Sequence, residues 1–280
     1  MIYQYKSAQG PVRDANEDEI DIEFNYDNHD KSMKPMNYYA VYDGHGGSAV
    51  SKYVKDRLSK YFMNKKYEYS INKKTVNTYI TNVYDTLQTK IRESSLRSRA
   101  CGSTALVVIQ YEKSNVYSQL KIINLGDCRA VICDQHYRAI SLTKDHKPMA
   151  FCENRRINDL GGIITHERDD DPRINGLSVS RAFGDVDATP HVTHIPEIFD
   201  HELNVKRGEI VDKFMILGCD GVWDVLSCQD AVDFVLFRLA ETRSIETRAG
   251  KGSNNIAQML GKHAIEKGSQ DNISVVIVFF

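Results

Sequence analysis

Five acidic residues stand where an apolar run begins or ends, and that placement suits the binding of hard divalent cations. Asp43 follows Tyr39-Ala40-Val41-Tyr42 and precedes Gly44-His45-Gly46-Gly47. Asp220 follows Met215-Ile216-Leu217-Gly218-Cys219 and precedes Gly221. Asp271 comes just before the last apolar run, and Glu17 and Asp18 close the segment Arg13-Asp14-Ala15-Asn16. Carboxylates that project from strand ends can converge at one edge of a sheet core, where Mg2+ and Mn2+ find the oxygen ligands they require. Any one of these residues alone would read as a turn or a helix cap. The cluster Asp-Gly-His-Gly-Gly is costly as a mere turn, because its glycines add unfolded-state entropy and pack nothing. A close backbone approach to a ligand or ion accounts for them better.

The elements that must position these groups can be read from hydrophobic patterning. Apolar runs at Tyr38 to Tyr42, Thr104 to Tyr111, Leu120 to Leu125, Ala130 to Cys133, Phe214 to Leu217 and Ile273 to Phe280 read as buried strands. Helical stripes run through Val50, Val54 and Leu58, and through Val76, Ile80, Val83, Leu87 and Ile91. Two more are Ala231, Val232, Val235 and Leu239, which follow a Ser227–Asp230 capping pattern, and Ile256, Leu260 and Ala264. The helices fall in pairs between groups of consecutive strands, which predicts antiparallel sheets with helices on their outer faces. His146 to Arg181 is rich in charge, Gly and Pro and reads as an irregular surface excursion, while His29 to Pro35 reads as an exposed hairpin loop.

With 280 residues, 41% hydrophobic and 26% charged, the chain has ordinary globular usage, and with no Pro/Gly/Ser-rich linker a single domain over 1–280 is expected. A net charge of -2, from 36 basic and 38 acidic residues, argues against a nucleic-acid partner. Six cysteines without a CxxC pair read as reduced thiols. The first residues form no signal peptide, and the longest apolar run is too short to span a bilayer. A soluble, cytoplasmic monomer with no membrane partner is expected, with a nuclear location left open.

The motifs, taken in order, resemble the metal-dependent serine/threonine protein phosphatases of type 2C, the PPM family. They are Arg13 with Asn16-Glu17-Asp18, Asp43-Gly44-His45-Gly46-Gly47, Cys101-Gly102-Ser103-Thr104-Ala105 and Gly126-Asp127-Cys128-Arg129. They continue with Lys144-Asp145-His146-Lys147-Pro148, Gly161-Gly162, Ser178-Val179-Ser180-Arg181, Gly184-Asp185, Asp220-Gly221-Val222-Trp223-Asp224 and Gln270-Asp271-Asn272. So many in one order make a specific match.

The resemblance implies an α+β fold, an αββα sandwich of two central, mainly antiparallel β-sheets flanked by helix pairs. It implies two Mn2+ or Mg2+ ions, with Asp43 bridging both, Asp220 and Asp271 completing one site, and Glu17 and the Gly44 carbonyl serving the other. Asp18 and Thr104 would support these ligands. A water bridging the ions would attack phosphoserine or phosphothreonine of protein substrates. Arg13 would grip the phosphate oxygens, and His45 would protonate the leaving oxygen. Asp145 and Asp224 match a third, weaker metal site shared with Asp220. Asp127 and Asp185, each after a glycine, are expected to hold turns. The excursion 146–181 corresponds to a flap beside the active site; its run Glu167 to Asp171 reads most simply as a solvated loop, with a preference for basic phosphopeptides as the alternative. The rival readings are a pseudophosphatase that binds phosphoproteins without turnover, which the intact carboxylate set disfavours, and another two-metal hydrolase such as a nuclease, which the near-neutral charge disfavours.

Overall fold

A computed structural model describes residues 2–24, 36–63, 73–94, 98–113, 116–168, 170–246 and 255–280. The expected hairpin loop from His29 to Pro35 lies outside them. In chain order the principal strands are β1 (Ile2–Ala8), β2 (Glu19–Phe24), β3 (Met36–Tyr42), β4 (Ala105–Lys113), β5 (Val116–Leu125), β6 (Arg129–Cys133), β7 (Ala139–Ser141), β8 (Glu197–Glu202), β9 (Phe214–Gly218) and β10 (Ile273–Phe279). The helices are α1 (Ala49–Phe62), α2 (Lys73–Glu93), α3 (Phe151–Asp159), the single turn α4 (Asp220–Trp223), α5 (Cys228–Glu246) and α6 (Ile256–Glu266).

The strands form two five-stranded sheets, one in the order β8-β5-β4-β3-β2 and one in the order β1-β10-β9-β6-β7. Every pairing within them is antiparallel. The period of two along each strand sorts the apolar residues into layers. Tyr39, Val41 and Val108 of the first sheet meet Met215, Leu217 and Val276 of the second, in a core between the sheets. Their sequence neighbours Tyr38, Ala40 and Val107 point the other way, into a core under α1 and α2. Phe214, Ile216, Val275 and Ile277 likewise point outward, under α5 and α6. Strands buried on both faces read as unbroken apolar runs, which is why these central strands were legible. The result is the expected αββα sandwich.

The strands that patterning missed are edges: β1, β2, β7 and β8 each close a sheet. Each mixes polar with apolar residues, and β2 alternates them strictly, as Glu19-Ile20-Asp21-Ile22-Glu23-Phe24. The segment 146–181 also differs from the irregular excursion expected. It contains α3 and supplies Ile157, Ile174 and Val179 to a small apolar core that Ala182, Ala188 and Val192 complete. Only Glu153 and Ile157 of α3 are buried, so the helix shows no apolar stripe. The cap expected at Ser227 is present. Ser227 Oγ lies 2.6 Å from the Asp230 carboxylate and accepts from the Asp230 amide at 3.1 Å.

Candidate active site

Antiparallel pairing brings the acidic residues to one end of the sandwich. Tyr42 pairs with Glu19, so Asp43, after β3, emerges beside Glu17 and Asp18, before β2. Gly218 pairs with Val275, so Asp220, after β9, emerges beside Asp271, before β10. These ends open on a cleft of about 500 Å3 whose walls include Arg13, Glu17, Asp43, Gly44, His45, Asp127, Asp220 and Asp271. The Asp43 amide donates to Thr104 Oγ1 at 3.0 Å, and Thr104 returns its own amide to the Asp43 carbonyl at 2.9 Å. Gly44 is a glycine because a Cβ would lie 2.3 Å from the Glu17 carbonyl oxygen. The lack of a side chain at Gly44 therefore lets the segment before β2 pack against the end of β3.

The electrostatics favour bound cations. Burial, then repulsion from Asp220, Asp18, Asp127 and Asp271, pushes the Asp43 carboxyl well above its ordinary pKa. Burial and the charges of Asp127 and Asp271 do the same to Asp220. Asp18, held by Ser274, Cys219 and Asp43, is raised to about 6, mainly by burial. One oxygen each of Asp43 and Asp220 lies with Cys219 Sγ inside a 4.8 Å cluster. Cys219 does not fit as a ligand for a hard cation. Its sulfur accepts from the Ser274 amide at 3.1 Å and faces the Asn272 carbonyl at 3.3 Å, and burial drives its pKa up. The oxygens that remain suit Mg2+ or Mn2+.

His45 sits on a small ladder in which Gly102–Ser103 pairs with Gly44–His45 on one side and Phe183–Gly184 on the other. Its Nε2 lies 2.7 Å from Oδ2 of the buried Asp185. A Cβ on Gly102 would fall 2.1 Å from that oxygen and 2.4 Å from Nε2, so only glycine leaves room for the pair. Burial works against the imidazolium, yet the hydrogen bond and charge of Asp185 raise the His45 pKa overall. Arg13 reaches the cleft from before β2 and forms an ion pair with Asp271. Asp145 and Asp224 are absent from the cleft walls.

The model of the protein phosphatase 2C family matches residues 6–273. The chain belongs to that family. It is 42% identical over 174 residues to a PP2C-like domain-containing protein, R307, of Acanthamoeba polyphaga mimivirus, covering 58% of this chain and 94% of that one. It is 33% identical to the probable protein phosphatase 2C 45 of Oryza sativa subsp. japonica, over 99% of this chain and 88% of the relative. Among solved structures, a sex-determining protein of C. elegans superposes with a TM-score of 0.77 at 26% identity, over 99% of this chain and 64% of that chain. A Toxoplasma gondii phosphatase, at 22% identity and a TM-score of 0.79, shows the same fold over 99% of this chain and 92% of its own.

In this protein phosphatase 2C chain, Asp127 and Asp185 have more to do than hold turns. Asp127 lines the cleft and Asp185 grips His45. An Asp after a glycine at a turn looks the same in sequence whether its carboxylate faces solvent or a site. The flap contributes Arg173, Leu177, Ser178 and Val179 to the cleft wall. Of its acidic run, Asp169 lies outside the described residues, and Asp170 accepts two hydrogen bonds from Arg173, at 2.8 and 3.1 Å. Part of the negative charge expected to attract basic peptides is therefore balanced within the flap. Among the described residues no helix is long and apolar enough to cross a membrane.

Proposed function

We propose that the chain hydrolyses phosphoserine and phosphothreonine in proteins as one catalytic domain. The observation that carries this reading is the convergence of Asp43, Asp220 and Asp271 with Arg13 and His45 on one cleft. Asp43 would serve two Mn2+ or Mg2+ ions, with Asp220 and Asp271 on one and Glu17 and the Gly44 carbonyl on the other. When bound, the ions supply an activated water and neutralise charge on the phosphate. Arg13 offers a planar guanidinium fork for two phosphate oxygens, which a lysine could not match. His45 donates a proton to the departing serine or threonine oxygen. With Nε2 committed to Asp185, its Nδ1 is the nitrogen open to that oxygen. A cysteine nucleophile is disfavoured, because none of the six cysteines lines the cleft and burial raises the pKa of Cys101, Cys128, Cys133 and Cys219.

Hydrolysis of a phosphothreonine peptide by the purified chain tests the proposal, with Mn2+, with Mg2+ and with EDTA. Activity should require metal and fall at least about a hundredfold in Asp220→Asn. Folded protein that turns nothing over in any metal would leave phosphoprotein binding as its role.

A further inference from the structure

Near Asp220, the carboxylates of Asp127 and Asp145 are already matched by cations of the chain itself. Lys147 Nζ lies 2.5 Å from Asp127 Oδ2 and 4.0 Å from Asp171 Oδ2. Asp127 is buried, and its charge together with a hydrogen bond from the ammonium holds Lys147 there. Asp145 is committed elsewhere. Arg129 grips it with both arms of its fork, Nε to Oδ1 at 3.1 Å and Nη2 to Oδ2 at 2.7 Å. Arg129 is itself fixed, by Cys228 Sγ 3.4 Å from Nη1 and by the Trp223 ring 5.4 Å below its guanidinium. Asp224 is exposed at the rim, where burial and the charges of Asp127, Asp171 and Asp145 raise its pKa and the charge of Lys147 opposes them. The set Asp145, Asp224 and Asp220 therefore does not fit a third metal ion. One member is tied by two hydrogen bonds, and a fixed positive charge stands against the neighbouring Asp127.

We infer that Lys147 is a built-in counter-ion that takes the place of a third metal ion beside Asp127 and Asp220 and so limits this centre to two divalent cations. The inference rests on the two-ion reading above. A divalent ion that entered here would have to expel the ammonium from Asp127 or bind beside a like charge, and both weaken it. A cation that belongs to the chain cannot be diluted or chelated away, so charge balance on this flank is independent of metal concentration.

Counting bound Mn2+ on the purified chain, from the electron paramagnetic resonance of the free ion, tests this without reference to turnover. The wild type and Lys147→Arg, which keeps the charge, should bind two Mn2+. Lys147→Met, with Lys147→Gln as a second neutral variant should Met disturb folding, should gain a third Mn2+ at least about tenfold tighter than any third ion on the wild type. Adding Asp127→Asn to the neutral variant should abolish that gain. Equal third-ion affinity in wild type and neutral variants would overturn the inference, as would a gain that survives Asp127→Asn. Fewer than two Mn2+ on the wild type would overturn the two-ion reading itself, which the variants do not touch.

Discussion

His45 and Asp185 make the sharpest residue-scale prediction. The leaving oxygen of phosphothreonine is a poor leaving group and needs a proton, whereas the phenolate of an aryl phosphate departs without one. His45→Gln and Asp185→Asn should each slow hydrolysis of a phosphothreonine peptide by about a hundredfold while slowing an aryl phosphate far less. Equal losses on both substrates would assign the pair a structural role only. Asp185 raises the His45 pKa, so its removal lowers it, and the alkaline limb of the peptide rate profile should move to lower pH in Asp185→Asn. This pair also marks what sequence leaves hidden. Residues 45 and 185 are 140 apart, and nothing in a motif says that a glycine at 102 exists to let them meet.

At the scale of elements, the flap is fastened by a buried carboxylate as well as by its small apolar core. Glu153 of α3 is 2% exposed and accepts from Arg181 Nε at 3.0 Å, Arg156 Nη2 at 3.0 Å and Ser180 Oγ at 2.8 Å. Arg181 also donates to the Ile195 carbonyl at 3.0 Å, just before β8 in the first sheet. Burial opposes ionisation of Glu153, but Arg181, Ser180 and Arg156 bring its pKa down to about 2. Because the folded pKa is depressed, this stabilisation is present above the ordinary carboxylate range and is lost as pH falls toward about 2. Glu153→Gln takes the anion from Arg156 and leaves Arg181 only the more distant Glu197, 3.8 Å away, and should destabilise the flap by about 3 kcal/mol. Amides of residues 151–181 should exchange faster with solvent water while those of the two sheets hold. KM should rise more than kcat falls, since Arg173 and Leu177 to Val179 line the cleft. Unchanged exchange in the flap would refute this role. Patterning missed α3 because its anchor is charged, and hydrophobic periodicity cannot report that.

For the whole molecule, the same convergence that builds the site makes the metal-free protein sensitive to pH. Burial raises Asp18 from 3.8 to about 6, so the folded chain holds a proton that the unfolded chain releases earlier. Stability from this group is fullest below about pH 4 and is lost as pH rises through about 6, a loss on the order of 3 kcal/mol. Asp43 and Asp220 are shifted in the same direction and add to it. Thermal melts in EDTA should therefore fall between pH 5 and pH 8, by about several degrees, and Mn2+ should restore them most at the alkaline end. A flat profile in EDTA would mean that burial and mutual repulsion do not raise these carboxyls in the folded chain. The sequence by itself determined the layers, because strands buried on both faces are continuous apolar runs and helices buried on one face carry stripes. It also determined which carboxylates stand at the ends of central strands, and so most of the acidic groups in the cleft, though not Asp127. Only the tertiary structure decided which charges meet across the chain. Asp185 went to His45, Asp145 to Arg129 and Lys147 to Asp127, because ion pairs of large sequence separation, and those made across a turn, are chosen by packing and leave no period to read.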